Sequence, residues 1–143
     1  MRKSIYEMLE EADKAKTKAE KQNVLRKYSG APLKTVLGHA FDPRIKWLLP
    51  EGEPPYKPAS GQADIQGQFV AELRRLYLFI EGNQPTQKNL KQIRREQLFI
   101  DMLEAIDPGD AKVLIAMKDK KLPFKSITKK LVAETFPNLS KDW

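Results

Sequence analysis

A chain of 143 residues with 26 lysines and arginines against 19 acids carries a formal charge of +7, a balance that favours anionic partners without naming one. It has no cysteine, which excludes disulfides, zinc ribbons and thiol nucleophiles. The length suits one domain that buries a core unaided, the polar start MRKSIYEMLEEADKAK does not fit a signal peptide, and no apolar run approaches the roughly 18 residues of a membrane span, so a soluble intracellular protein is expected.

Along the chain the pattern is helical. Ile5, Met8, Leu9 and Ala12 mark one face of a first helix, and Thr17 with Glu20 reads as a capping box opening a second through Val24 and Leu25. Pro32 suits the first turn of a third helix on Leu33, Val36, Leu37, Ala40 and Phe41, which Asp42 and Pro43 should end. The string PEGEPPYKPASG then carries four prolines, giving an irregular loop at about 50–63.

Beyond the loop, Phe69, Leu73, Leu76, Tyr77 and Ile80, widened by Val70, Leu78 and Phe79, predict the central, most buried helix. After a break at Gly82 to Pro85, a helix is expected from about Gln87 to Ile106. Asp107 before Pro108 reads as the cap of a helix through Val113, Leu114 and Met117. Pro123 interrupts it, and Ser126 or Thr128 can start a last helix on Ile127, Leu131, Val132 and Thr135. Alternating strand patterns and internal repeats are missing. The predicted fold is all-α, a single helical domain over 1–143 with about six or seven helices.

The functional signal is charge. The nineteen residues Lys112–Lys130 hold seven lysines against one acid, Asp119, interleaved with apolar residues, so a rigid surface can present them to a phosphate backbone. Lys118, Lys120, Lys121 and Lys125 surround the start of the last helix, where unpaired amides favour an anion, with Ser126 and Thr128 as added hydroxyls. Lys125 and Lys129, one turn apart, repel each other by roughly 0.2–0.5 kcal/mol, which a bound polyanion relieves. A second basic group is Lys21, Arg26, Lys27 and Lys34, and a third is Lys88, Lys91, Arg94 and Arg95. The plain alternative for the first group is a solvated lysine face serving solubility, and for Arg94 and Arg95 it is pairing with Glu96 and Asp101.

Chemistry is poorly signalled. His39 is the only histidine and, without a second, makes no metal site or triad; packing is its expected role. No phosphate-binding glycine loop occurs, and no cofactor is implied. Trp47, beside Arg44 and Lys46, invites a stacking or wedge role, but next to leucines it reads rather as an anchor fastening its loop to the core.

The segment YEMLEEADKAKTKAEKQNVLRKYSGAPLKTVLGHAFDP resembles the start of the N-terminal DNA-binding domain of T-even phage ATP-dependent DNA ligases, through Thr17, Lys18, Lys21, Gln22, Leu25, Leu33, Lys34, Val36 and Phe41. The close, DAKVLIAMKDKKLPFKSITKKLVAETFPNLS, is similar to the end of that domain through Val113, Leu114, Ile127, Phe136, Pro137 and Leu139. The whole chain, including DPRIKWLLPEGEPPYKP and LKQIRREQLFIDMLEAIDP, also resembles a small protein family of T-even-like phages of marine bacteria. The ligase resemblance implies an all-helical domain that holds duplex DNA by sugar-phosphate contacts while a separate domain does the chemistry. Two departures stand out: Leu122, Pro123 and Phe124 replace the ligase glycine turn, and the adenylation signature Lys-x-Asp-Gly is absent, so ligation by this chain alone is not expected.

The reading is a non-enzymatic, backbone-contacting binder of double-stranded DNA with little sequence preference, accessory to phage DNA replication or repair in the cytoplasm of the infected host cell, with phage replication proteins as further partners. The alternative is an adaptor that binds a host or phage protein through its basic face or Pro-rich loop.

Overall fold

A computed structural model describes residues 4–59, 66–82 and 89–140. Lys88, part of the break before it and residues 60–63 of the expected loop lie outside the described residues. Among those described, seven α-helices and one 3₁₀ segment are present and no strand forms: α1 Ile5–Lys14, α2 Lys18–Lys27, α3 Ala31–Phe41, α4 Gln66–Glu72, the 3₁₀ segment Leu73–Phe79, α5 Gln92–Ala105, α6 Pro108–Lys118 and α7 Lys129–Thr135. The protein is all-α.

Local chemistry explains most of the helix starts. Ser4 Oγ accepts from the Glu7 amide and Glu7 Oε1 accepts from the Ser4 amide, a complete capping box that opens α1. Thr17, Asp107 and Thr128 cap α2, α6 and α7 through their side-chain oxygens. Pro32 sits in the first turn of α3, where its missing N–H costs nothing. The helices bury the faces their spacing predicts: Ile5, Leu9 and Ala12 on α1, Leu33, Val36, Leu37 and Ala40 on α3.

One expectation needs correction. Residues 69–80 do not form the central helix, because α4 ends at Glu72 and the chain tightens into 3₁₀ geometry. At three residues per turn Leu73, Leu76 and Phe79 eclipse one another, so Leu76 and Phe79 turn inward while Tyr77 is left 50% exposed. The segment then docks at its end: Trp47 and Ile80 form a single antiparallel bridge, with the Leu48 amide donating to Phe79 O at 2.7 Å and the Glu81 amide to Lys46 O at 2.9 Å.

The central element is α6. Ala111, Val113, Leu114, Ile115 and Met117 are buried, as are its polar Asp110 and Lys118, and α1, α3 and α5 all pack against it. Each fully buried apolar side chain contributes roughly 1.5–3 kcal/mol. Gly109 lets α1 approach closely, since a Cβ there would meet Tyr6 atoms at 3.0 Å. The helix that anchors the fold is therefore also the start of the lysine stretch.

Candidate nucleic-acid interface

Burial divides the lysines of 112–130 into two kinds. Lys118, expected on the basic face, is buried. Its Nζ donates to Pro50 O at 2.8 Å, to Gly52 O at 2.9 Å and to Asp119 Oδ1, which uses all three ammonium protons. Asp119 in turn accepts from the Gly52 amide at 3.2 Å. Lys118 is thus a clamp between the end of α6 and the Pro-rich loop, not a phosphate contact.

Lys120, an exposed residue, is a second anchor. The end of α6 is closed by the Lys120 amide donating to Met117 O at 3.1 Å and the Lys121 amide to Ala116 O at 2.9 Å, the paired bonds of a Schellman motif. The motif needs a left-handed residue, and Lys120 takes that place at φ 58°, where glycine is usual and any other residue costs roughly 1–2 kcal/mol. Its Nζ then donates to His39 O at 2.9 Å and Asp42 O at 2.8 Å, capping α3. Burial pushes the ammonium pKa down, opposed by the Asp42 carboxylate. His39, lowered by burial and by Lys120, bonds through Nδ1 to Thr35 O at 2.8 Å and packs edge-on against Trp47. It is a packing residue. Trp47 is fastened to the same α3 end by its Nε1 bond to His39 O at 3.4 Å.

The turn into α7 offers no open anion slot. Asp13 of α1 supplies a carboxylate there, accepting from the Ser126 amide at 3.1 Å and from the Ser126 hydroxyl. Thr128 Oγ1 accepts from the Leu131 amide at 3.1 Å. Both hydroxyls are therefore engaged in shaping the turn. Lys125 and Lys129 project from it exposed, with no hydrogen bond or ion pair among the described residues. Lys121 is exposed and pairs with Glu51 at 3.2 Å, a surface bridge of little energetic weight.

The second basic group meets this region from the other side. α2 packs against α7, and between them lies a cavity of about 280 Å³ lined by Lys18, Lys21, Ser126, Thr128, Lys130 and Glu134. Lys18 pairs with Glu134, whose carboxyl pKa is lowered chiefly by that bond. Lys21 is occupied: its Nζ caps α1 by donating to Asp13 O at 2.8 Å and Ala15 O at 2.6 Å. Lys27 lies over the Tyr28 ring and 3.5 Å from Glu11. Lys34 of α3 reaches the far end of α7, its Nζ 5.6 Å from the centre of the Phe136 ring. The Arg26 side chain is exposed.

The third group splits. Arg95 is buried and donates to Leu78 O, Gln92 Oε1 and Leu90 O, tying α5 to the 3₁₀ segment rather than pairing with Glu96 or Asp101 as its plain alternative held. Arg94 and Lys91 are exposed at the start of α5. Packing brings the first two groups together around α7, whereas α5, which carries Arg94 and Arg95, packs against α6, α4 and the 3₁₀ segment.

Lys18 and Lys130 were missed as site residues by sequence reasoning. Each follows a capping threonine within two residues, Thr17 and Thr128, and that shared placement at a helix start is the signal that could have found them. Among the described residues no group of three or more His, Cys, Asp or Glu could hold a metal ion, and no helix is long and apolar enough to cross a membrane. No curated protein and no solved structure matches the chain significantly. A profile described as a family of unknown function (DUF6433) matches residues 8–123, well over half of the 143, and the chain belongs to that family.

Proposed function

We propose that this protein binds double-stranded DNA through its sugar-phosphate backbone, with little sequence preference and without catalysis, using the cationic surface gathered around α7. The supporting observation is the meeting of lysines from four chain segments: Lys18 on α2, Lys34 on α3, Lys125 in the preceding turn, and Lys129 with Lys130 on α7 itself. Arg26, exposed, extends the set along α2. Lys118, Lys120, Lys21 and Arg95 are engaged with groups of the fold itself and are not counted among the phosphate contacts. Lysines on a folded scaffold neutralise phosphates without an ordering cost as large as a flexible tail would incur. The ligase-like order of motifs supports an accessory role in phage DNA replication or repair, in the cytoplasm of the infected cell.

The test is a duplex titration against salt. Log K should fall with log salt by about 0.9 per phosphate contacted. Replacing Lys125, Lys129 and Lys130 by alanine should flatten the slope by up to about 2.7, at roughly 0.9 for each phosphate no longer neutralised, while leaving the thermal midpoint in place. Absence of duplex binding at low salt, or an unchanged slope in the triple variant, would sink the proposal.

A further inference from the structure

We infer that the cleft beneath the Pro-rich loop is a docking site for a basic peptide segment carrying an apolar anchor residue. Residues 50–55 stand off α5 and enclose a cavity of about 400 Å³, within the range of specific ligand pockets. Its floor is apolar, made by Leu49, Phe99 and Ile100, and Pro50 and Pro54 form a wall. Glu51, Glu53 and Glu96 stand around it. Beyond Glu96 on the same helical face of α5, Ile93, seven residues before Ile100, is 85% exposed.

Charge decides what fits. In a molecule of formal charge +7, this cleft is bordered by three carboxylates, and Lys118 at its base has every ammonium proton committed to Pro50, Gly52 and Asp119. Lys121 pairs with Glu51, which leaves Glu53 and Glu96 as the cleft's acids without an ion pair among the described residues; the Glu96 carboxylate accepts from the Gln92 side-chain amide at 3.0 Å. Duplex phosphate is repelled here. A lysine or arginine is attracted, and an adjacent leucine, isoleucine or phenylalanine has a slot to fill.

The loop is also held ready. Burying an ammonium ion is expensive unless it is fully paired, and the groups that pair Lys118 are the loop carbonyls at positions 50 and 52. Gly52, at φ +97°, takes a backbone shape that other residues rarely adopt. Prolines 50, 54 and 55 restrict the rest, so little conformational freedom is lost when a partner enters.

The test is selection of displayed random dodecapeptides on the full chain and on the variant E53K/E96K. Enriched peptides should join Lys or Arg to Leu, Ile or Phe and bind the native chain at least about tenfold more tightly than the variant, a difference of roughly 1.4 kcal/mol. Their binding should move the amide resonances of Gly52, Ile93 and Ile100. The isosteric E53Q/E96Q variant should show a smaller loss in the same direction, which separates charge from misfolding. Duplex affinity should survive E53Q/E96Q, so the two sites stand or fall independently. The inference is overturned if no peptide is enriched, if enriched peptides lack basic residues, or if they bind all three chains equally. Self-association of the native chain that E53K/E96K abolishes would also overturn it, by assigning the cleft to a second copy.

Discussion

At the scale of single residues, a lysine's sequence position says little about where its charge ends up. Lys118 and Lys120 lie two residues apart in the same basic run, yet one is sealed under the Pro-rich loop and the other caps α3. Lys118→Met should destabilise the fold by about 3 kcal/mol, since it leaves loop carbonyls and Asp119 without their buried partner, and chemical denaturation would measure it. The salt slope of the folded fraction should stay unchanged. At Lys120 two effects oppose: Lys120→Ala loses the α3 cap and keeps the backbone strain, whereas Lys120→Gly loses the cap and relieves the strain. The glycine variant should therefore be the more stable of the two by about 1 kcal/mol. Neither engagement was legible in the sequence, because the acceptors lie 68 and 81 residues away for Pro50 and His39. Local pairs were legible. Thr17, Asp107 and Thr128 were all identifiable as caps because the bond closes within three residues.

At the scale of elements, the limit is period. Leu73, Leu76 and Phe79 repeat at three and Phe69, Leu73, Leu76 and Ile80 at an average near 3.6, so over so short a span the 3₁₀ and α patterns overlap. Only the bridge between Trp47 and Ile80, a tertiary contact, shows which end of the stripe is pulled out of helical register. The burial of α6 was hidden for a related reason: a helix surrounded on all sides shows no amphipathic stripe, and its Lys118 looked like a solvent-facing residue. α7 depends on its start. Thr128→Ala removes the cap of a seven-residue helix and should cost about 1 kcal/mol. Because α7 carries Lys129 and Lys130, the same variant should lose a measurable part of its duplex affinity as temperature approaches the transition, and titration at two temperatures would reveal it.

Across the whole molecule, the contact between α1 and α6 joins the two ends of the fold through acids. Asp110 is buried and accepts from the Tyr6 amide at 3.0 Å through Oδ1, while its Oδ2 has no hydrogen-bond partner among the described residues. Burial, reinforced by Asp107 and Glu7, raises its pKa from 3.8 to about 7. The folded state therefore holds a proton that the unfolded chain releases above pH 3.8. The stabilisation is complete below about 3.8, declines as pH rises towards 7 and is gone above it, amounting to on the order of 4 kcal/mol across the window. His39 acts in the opposite sense, since its lowered pKa makes stability fall as pH drops below its unfolded value of about 6.5. Asp110→Asn should remove the first contribution and raise stability at pH 8. Its denaturation midpoint should then fall with acidification where the native chain's rises or stays level.

The bond between the Asp119 carboxylate and the Gly52 amide has a kinetic consequence. Gly52 lies on an exposed loop, where an amide normally exchanges its hydrogen with solvent almost at once. Here that hydrogen is held by the terminus of the most buried helix, so its exchange should follow the opening of α6 rather than the motion of the loop. A slow Gly52 amide in the native chain, made fast by Lys118→Met, would report that a surface segment keeps time with the core.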